Sequence, residues 1–279
     1  MTERIDHVVI NVAQNLDEAA EQYRRLGFTL TPRGHHSLGT SNHLAVFGTD
    51  YLELMGIESR NAGKALLPYP PGLMGLVFKT GDSAALWQHL SEQGILLQGE
   101  GPQPLSRPIR LDDGTQSEAR FRTIDVDARQ VPNGRLFFCH HLTPELVWRP
   151  EWQAHANGAL GIAEYVYVTP KPRAAARILE QAFGPDVLQA ERDQVSFIAG
   201  PSRICYATRE ALAQRYGIRA DLLPSEPERA LALTLNTRSL AQTRRALADG
   251  GTTDYLETEG AIVIPPASAM NVLLAFREA

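Results

Sequence analysis

IDHVVINVAQNLDEAAEQYRRLGFTLTPRGHHSLGTSNHLAVFGTDYLELMGI, from Ile5 to Ile57, decides the fold. Its opening, IDHVVINV, is dense in β-branched residues and reads as a strand. In NLDEAAEQYRRLGF, Leu16, Ala19, Ala20, Tyr23 and Leu26 recur at helical spacing. Asn15 or Asp17 caps the start, and Gly27 marks the exit. FTLTPRG, NHLAVFG and DYLELMGI are three further short strands. The unit is strand, helix, strand, strand, strand.

The order returns three more times. LMGLVFKT leads into GDSAALWQHLSEQG, ILLQGEG, ARFRTIDVD and GRLFFCHHL. IAEYVYVT leads into PKPRAAARILEQAFG, DVLQAE, QVSFIAG and SRICYAT. ALALTLNT leads into RSLAQTRRALADGG, DYLETEG, AIVIP and NVLLAFRE. A repeat of this period governs the architecture. One βαβββ unit leaves a curled sheet with one bare face, and two side by side close a barrel-like cup with helices outside. The expectation is an α+β fold of four βαβββ modules paired into two barrel-like domains, residues 1–150 and 160–279. The linker TPELVWRPEWQAHANGA joins them, and the third copy carries an insert, REALAQRYGIRADLLPSEPERA, read as a short helix and a Pro-bearing loop.

The chain has 279 residues, 43% hydrophobic and 21% charged, with a net charge of -5, which is an ordinary globular balance. No dense Lys/Arg stripe supports a nucleic-acid partner. No apolar run approaches the roughly 18 residues of a membrane span. The start, MTERIDHVVINV, lacks the pattern of a signal peptide, so the expected location is cytoplasmic. Cys139 and Cys205 are in no metal-like spacing and are expected to be reduced and buried.

This order of elements resembles the vicinal oxygen chelate superfamily, which includes glyoxalase I, bleomycin- and fosfomycin-resistance proteins and extradiol dioxygenases. The first unit is similar to glyoxalase-like domain proteins. The likeness rests on the pair Asp6–His7, the helix exit Leu26–Gly27–Phe28, the loop His36 to Asn42 with Gly39 and Thr40, and Tyr51–Leu52–Glu53–Leu54. It implies a divalent metal (Zn, Fe, Ni, Mn or Co), a small oxygen-rich substrate and compatibility with a homodimer. In such proteins a His or Gln on the first strand and a Glu on the last strand of each of two units hold the metal.

Strand parity then selects side chains. If Val8, Ile10 and Val12 pack on the helix, then Ile5, His7, Val9 and Asn11 face the cup. In DYLELMGI, Leu52 and Leu54 face the helix, and Tyr51, Glu53 and Met55 face in. A carboxylate between leucines costs several kcal/mol if left unpaired, so a cation is expected opposite it. Aligning RLFFCHHL on DYLEL puts Phe138 or His140 where Glu53 falls. His140 then faces the cup and His141 the helix layer, and a one-residue slip would swap them. His7, Glu53 and His140 form the expected metal set, a two-His, one-carboxylate donor group with open positions.

The second unit departs from the pattern at Leu73 or Met74, and His140 stands where glyoxalase I carries its proton-moving glutamate. In the second barrel Glu164 falls at the position of His7 and no matching acidic partner follows, so that barrel reads as a wall or dimer surface. Tyr51 and His36 are the candidate proton-handling residues. Asn42, Arg107 and Arg122 are the candidate substrate contacts.

Bland readings stand beside these. His7 also fits a hydrogen-bonded core histidine, and His140 a polar strand end. Glu53 also fits a buried ion pair with Arg107, Arg110, Arg120 or Arg122, and RPIRLDDGTQSEARFR a solvated hairpin. The functional expectation is metal-dependent lyase or isomerase chemistry, ahead of dioxygenation. The alternative is a non-catalytic protein that sequesters a small molecule or drug.

Overall fold

The computed structural model describes residues 3–36, 39–58, 69–110, 114–226 and 228–279. The acidic turn Leu111–Asp113 and the side chain of Arg110 lie outside the described residues. The first module is β1 (Ile5–Asn11), α1 (Leu16–Arg25), β2 (Gly34–His35), β3 (Thr40–Val46) and β4 (Tyr51–Ile57). The second is β5 (Gly72–Lys79), α2 (Ser83–Glu92), β6 (Gln103–Arg110), β7 (Gln116–Asp125) and β8 (Arg135–His141). The third is β9 (Ala159–Val168), α3 (Pro172–Phe183), β10 (Leu188–Ala190), β11 (Gln194–Ala199) and β12 (Ser202–Ala207), followed by the insert helix α4 (Arg209–Tyr216). The last is β13 (Arg229–Thr237), α5 (Leu240–Asp249), β14 (Leu256–Thr258), β15 (Ala261–Ile264) and β16 (Leu273–Glu278).

Two eight-stranded mixed sheets result, in the orders β2-β3-β4-β1-β5-β8-β7-β6 and β10-β11-β12-β9-β13-β16-β15-β14. The four-module α+β architecture is therefore the observed one. Asn15 holds the N-cap position of α1, and Gly27, at φ +87°, gives the left-handed exit that glycine adopts without a Cβ penalty. The helix-facing sides of both sheets share one continuous core, which includes Val8, Ile10, Leu52, Leu54, Phe78, Phe138, Tyr165, Phe197 and Phe276. The concave faces point away from this core and carry separate clusters.

The two central strands of each sheet are bulged, and the bulges correspond. In β1 against β5, Ile5 pairs with Phe78 and His7 with Val77, so Asp6 is an extra residue. Val9 pairs with Gly75 and Ile10 with Leu73, so Met74 is the extra residue on the partner strand. A bulge flips local parity. Ile5 therefore joins the helix-side core rather than the cup, and Asp6 turns inward beside His7. Counting from the bulges, Gly75 matches His7 and Val77 matches Val9. Val9 pairs with Glu53 and Val77 pairs with Phe137, so Phe137 occupies the Glu53 position in the second module.

Candidate metal and substrate site

The first cup holds a hydrogen-bonded chain of buried polar groups. Glu53, on β4 between Leu52 and Leu54, is 4% exposed. Its Oε1 accepts from Asn42 Nδ2 at 2.5 Å. The other amide hydrogen of Asn42 faces His36 Nε2 at 3.2 Å, and Arg107 Nη1 donates to Asn42 Oδ1 at 3.2 Å. His36 Nδ1 lies 2.8 Å from Thr40 Oγ1. These contacts fix the amide orientation: the oxygen must face the guanidinium and the nitrogen the carboxylate. They also fix His36 as the Nδ1–H tautomer. Burial lowers the pKa of His36, with Glu53 opposing, so the ring is neutral near pH 7. Burial also lowers that of Arg107, with Tyr51 and Glu53 opposing. Arg107 Nε has no hydrogen-bond partner among the described residues.

Gly34 on β2 is what lets this chain close. A Cβ there would stand 2.5 Å from Arg107 Cδ and closer still to Asn42 Oδ1. Sequence reasoning assigns Gly34 no role, because a glycine in a Gly/Ser/Asn loop looks like a turn residue.

His7 lies beside this chain. Its Nδ1 is 2.7 Å from Asp6 Oδ1, and its Nε2 is 3.6 Å from Glu53 Oε2. Tyr51 stacks on the ring at 4.3 Å and 10°. Burial pushes the Tyr51 phenol well above its usual range, so it stays protonated and serves as a wall for His7. Asp6 is fully buried. Burial opposes its ionisation, but the hydrogen bonds and charges of His141 and His7 outweigh that and hold it well below the ordinary carboxylate range.

The expected orientation of the two neighbouring histidines is reversed. His140 lies against α2, with Nδ1 3.3 Å from Ser83 Oγ, and does not enter the cup. His141 faces in, with Nε2 3.0 Å from Asp6 Oδ1, between Phe121 and Trp148. Arg122 pairs in register with His140, so it shares the outer face, and it is exposed there. The structure therefore does not bring it to Asn42 and Arg107, the other candidate substrate contacts. Arg120 is exposed, and Arg107 is the arginine of the expected four that the described residues place in the cup. His7, Glu53, His36, Asn42, Arg107 and Tyr51 are all brought together, whereas His140 and Arg122 are not.

The linker closes one end of this cup. Val147 is buried, and Leu146, Trp148 and Trp152 pack on Leu44, Val46, Tyr51 and Ile109. Trp148 meets Tyr51 and His141, and Lys79 Nζ stands 3.9 Å above its ring.

The second cup is filled differently. Leu212, Ala213 and Tyr216 of the insert helix α4 pack against Val166, Leu231, Ala232 and Ala275. Glu164 is held there by Arg215 Nη1 at 2.6 Å and Arg203 Nε at 3.2 Å. The bulge count places Cys205 at the Glu53 position.

Whether a divalent metal suits the first cup is decided by hydrogen-bond chemistry. An ionised Asp6 can only accept, so His7 Nδ1 carries a proton and Nε2 is the nitrogen left to face Glu53. That nitrogen faces a carboxylate oxygen across 3.6 Å. The gap admits a cation, whether a proton on Nε2 or a metal ion, and metal bonds of about 2.0–2.2 Å from each side reach across it. A carboxylate that accepts the far N–H of an imidazole is also the usual support of a metal-bound histidine. His7 and Glu53 fit the group; Asn42 and Asp6 orient them.

Comparison with known proteins bears on family and fold. Residues 5–183 match the model of the glyoxalase-like domain family, and the chain belongs to that family. No curated protein matches. Among solved structures, a hypothetical protein from Staphylococcus aureus superposes with a TM-score of 0.67 at 12% identity, over 99% of each chain. A mutant of 4-hydroxymandelate synthase from Streptomyces coelicolor gives 0.59 at 12% identity, over 99% of this chain and 92% of that one. A xylose isomerase-like TIM barrel/4-hydroxyphenylpyruvate dioxygenase fusion protein gives 0.57 at 11%, over 100% of this chain and 49% of that one. These likenesses establish the vicinal oxygen chelate fold. No helix among the described residues is long and apolar enough to cross a membrane.

Proposed function

We propose that the protein is a metal-dependent enzyme of the glyoxalase and dioxygenase type, acting on a small oxygen-rich metabolite in the first cup. The observation that carries this reading is His7 Nε2 facing Glu53 Oε2 across 3.6 Å, both deeply buried and both held from behind. A divalent ion held there by His7 and Glu53 would supply Lewis-acid polarisation of two neighbouring substrate oxygens. Two protein donors leave room for such bidentate binding. Arg107, buried and with Nε free of a partner among the described residues, faces the same space and suits an anionic oxygen. His36, neutral and hydrogen-bonded through both nitrogens, is placed to take up a proton at Nε2 when Asn42 shifts to substrate. These features favour lyase or isomerase chemistry on an α-hydroxy carbonyl over ring-cleaving dioxygenation.

Metal titration of tag-free protein tests the reading. Glu53→Gln removes the anionic donor and should weaken Zn or Co binding at this site at least tenfold. Unchanged stoichiometry and affinity in Glu53→Gln would refute it.

One observation favours a second reading, a non-catalytic protein that sequesters a ligand: Gly75 and Phe137 stand at two of the four positions where the superfamily places metal ligands. Thermal stabilisation by apolar small molecules, with none by divalent metals, would select it.

A further inference from the structure

We propose a second, thiolate-containing metal site at the linker-covered end of the first cup, formed by Asp6, Cys139 and His141 and suited to zinc or another borderline-soft divalent ion. One donor atom from each residue lies within 4.8 Å of the others. Donor atoms around a tetrahedral ion stand about 3.3–3.8 Å apart for bonds of about 2.0–2.3 Å, so small side-chain rotations close the set. Asp6 is 0% and Cys139 3% exposed, and the His141 side chain is 5% exposed.

The independent sign of a ligand is a cluster of unmet polar atoms. Asp6 Oδ2, His141 Nδ1 and Trp148 Nε1 are all buried without a hydrogen-bond partner among the described residues. Such groups each cost about 1–3 kcal/mol when left unpaired, and natural structures keep few of them. Two of them, Asp6 Oδ2 and His141 Nδ1, belong to the proposed donor set; the Trp148 indole N–H only donates and does not bear on a cation. Lys79 Nζ is 3.8 Å from Asp6 Oδ2, beyond hydrogen-bond reach, and donates instead to Thr49 O at 3.0 Å. Its side chain is 32% exposed, so it can swing outward when an ion enters.

The donor types separate this site from the His7 and Glu53 pair. A Cys, His, Asp set selects zinc or cobalt over hard oxygen-preferring ions. It lies off the four positions at which the superfamily places its ligands, namely His7, Glu53, Gly75 and Phe137. Asp6 links the two sites, because its Oδ1 accepts from His7 while its Oδ2 is the atom left over. An ion on Asp6 Oδ2 would therefore set the position of His7.

Cobalt(II) titration of the full-length protein is the test, because a cobalt–thiolate bond gives a near-ultraviolet charge-transfer band that imidazole and carboxylate donors do not. The expected result is that band in the wild type, abolished by Cys139→Ser and by His141→Ala and retained in Glu53→Gln. Circular dichroism and a urea midpoint check that each variant is folded, and bound cobalt is counted by elemental analysis. Cobalt bound without the band, or with a band that survives in Cys139→Ser, overturns the proposal. So does the absence of bound cobalt. The readouts keep the two sites apart: loss of an ion in Glu53→Gln without any thiolate band leaves the proposed function standing and removes this inference. A band with no Glu53-dependent ion does the reverse.

Discussion

Asn42→Leu tests whether the buried chain from Arg107 to Glu53 is what holds the first cup together. Leu fills nearly the same space but neither donates nor accepts. The substitution strips a donor from Glu53 Oε1, an acceptor from Arg107 Nη1 and a donor from His36 Nε2. Leaving one buried polar group unsatisfied costs about 1–3 kcal/mol, more where it is charged. Two of the three are charged groups. Against this, added apolar burial returns about 1–2 kcal/mol. The expected net loss is about 3–5 kcal/mol of unfolding free energy. Urea denaturation followed by circular dichroism measures it, with an unchanged m value showing that the loss is in stability rather than in compactness. A loss below about 1 kcal/mol would show that Glu53 and Arg107 find other partners, and the network would then not be what positions the carboxylate. Gly34→Ala should act on the same contacts, since its Cβ collides with Arg107 and Asn42.

Other perturbations read other parts of the molecule. Burial raises the Asp50 carboxyl from 3.8 to about 6, despite the hydrogen bonds from Ile162 and Thr49. The folded form therefore binds the proton more tightly than the unfolded one, and stability falls as pH rises from about 4 through about 6. Asp50→Asn should add roughly 1–3 kcal/mol at pH 7.5 and little at pH 4, since each tenfold gain in proton affinity on folding is worth about 1.4 kcal/mol; an equal effect at both pH values contradicts the assignment. His140→Ala, which loses only contacts to Ser83 outside the cup, should leave cobalt stoichiometry at the wild-type value by elemental analysis. Arg215→Met should cost about 2–4 kcal/mol in urea denaturation because Glu164 is left with Arg203 alone, and adding Glu164→Gln should restore most of it.

Much of this is legible in the amino-acid order, and what is not has a definite physical cause. The repeat of strand, helix and three strands yields both sheets and their helix-facing cores, because β-branched runs, helical spacing and glycine exits all agree. The inward placement of His7 and Glu53 follows from alternation, since Val8, Ile10, Leu52 and Leu54 mark the other face cleanly. Alternation fails in two places. In RLFFCHH, Leu136, Phe137, Phe138 and Cys139 are all buried, so hydrophobicity marks neither face and parity puts the histidines one residue out of step. At Asp6 the bulge adds a residue that no apolar pattern reports, so a carboxylate expected to point away turns in to hold both His7 and His141. In the sequence Asp6 is visible only as half of a signature pair, with no chemistry attached.

The two cups pose the same electrostatic problem and solve it in opposite ways. Glu164 and Glu53 each lie buried on a central or adjacent strand, and each would cost several kcal/mol if its charge were left bare. In the second cup two guanidiniums meet Glu164, Tyr216 covers it, and a helix inserted after β12 fills the remaining space. In the first cup no guanidinium among the described residues reaches Glu53; Arg107 stops at the Asn42 amide, one hydrogen bond short. The Asn42 amide that meets Glu53 is neutral and by itself does not cancel a full negative charge. The difference is not one of space, since Arg107 already reaches Asn42, and a longer reach would close the pair. On the proposed function, a divalent ion between His7 and Glu53 would supply in the first cup the positive charge that Arg215 and Arg203 supply to Glu164 in the second.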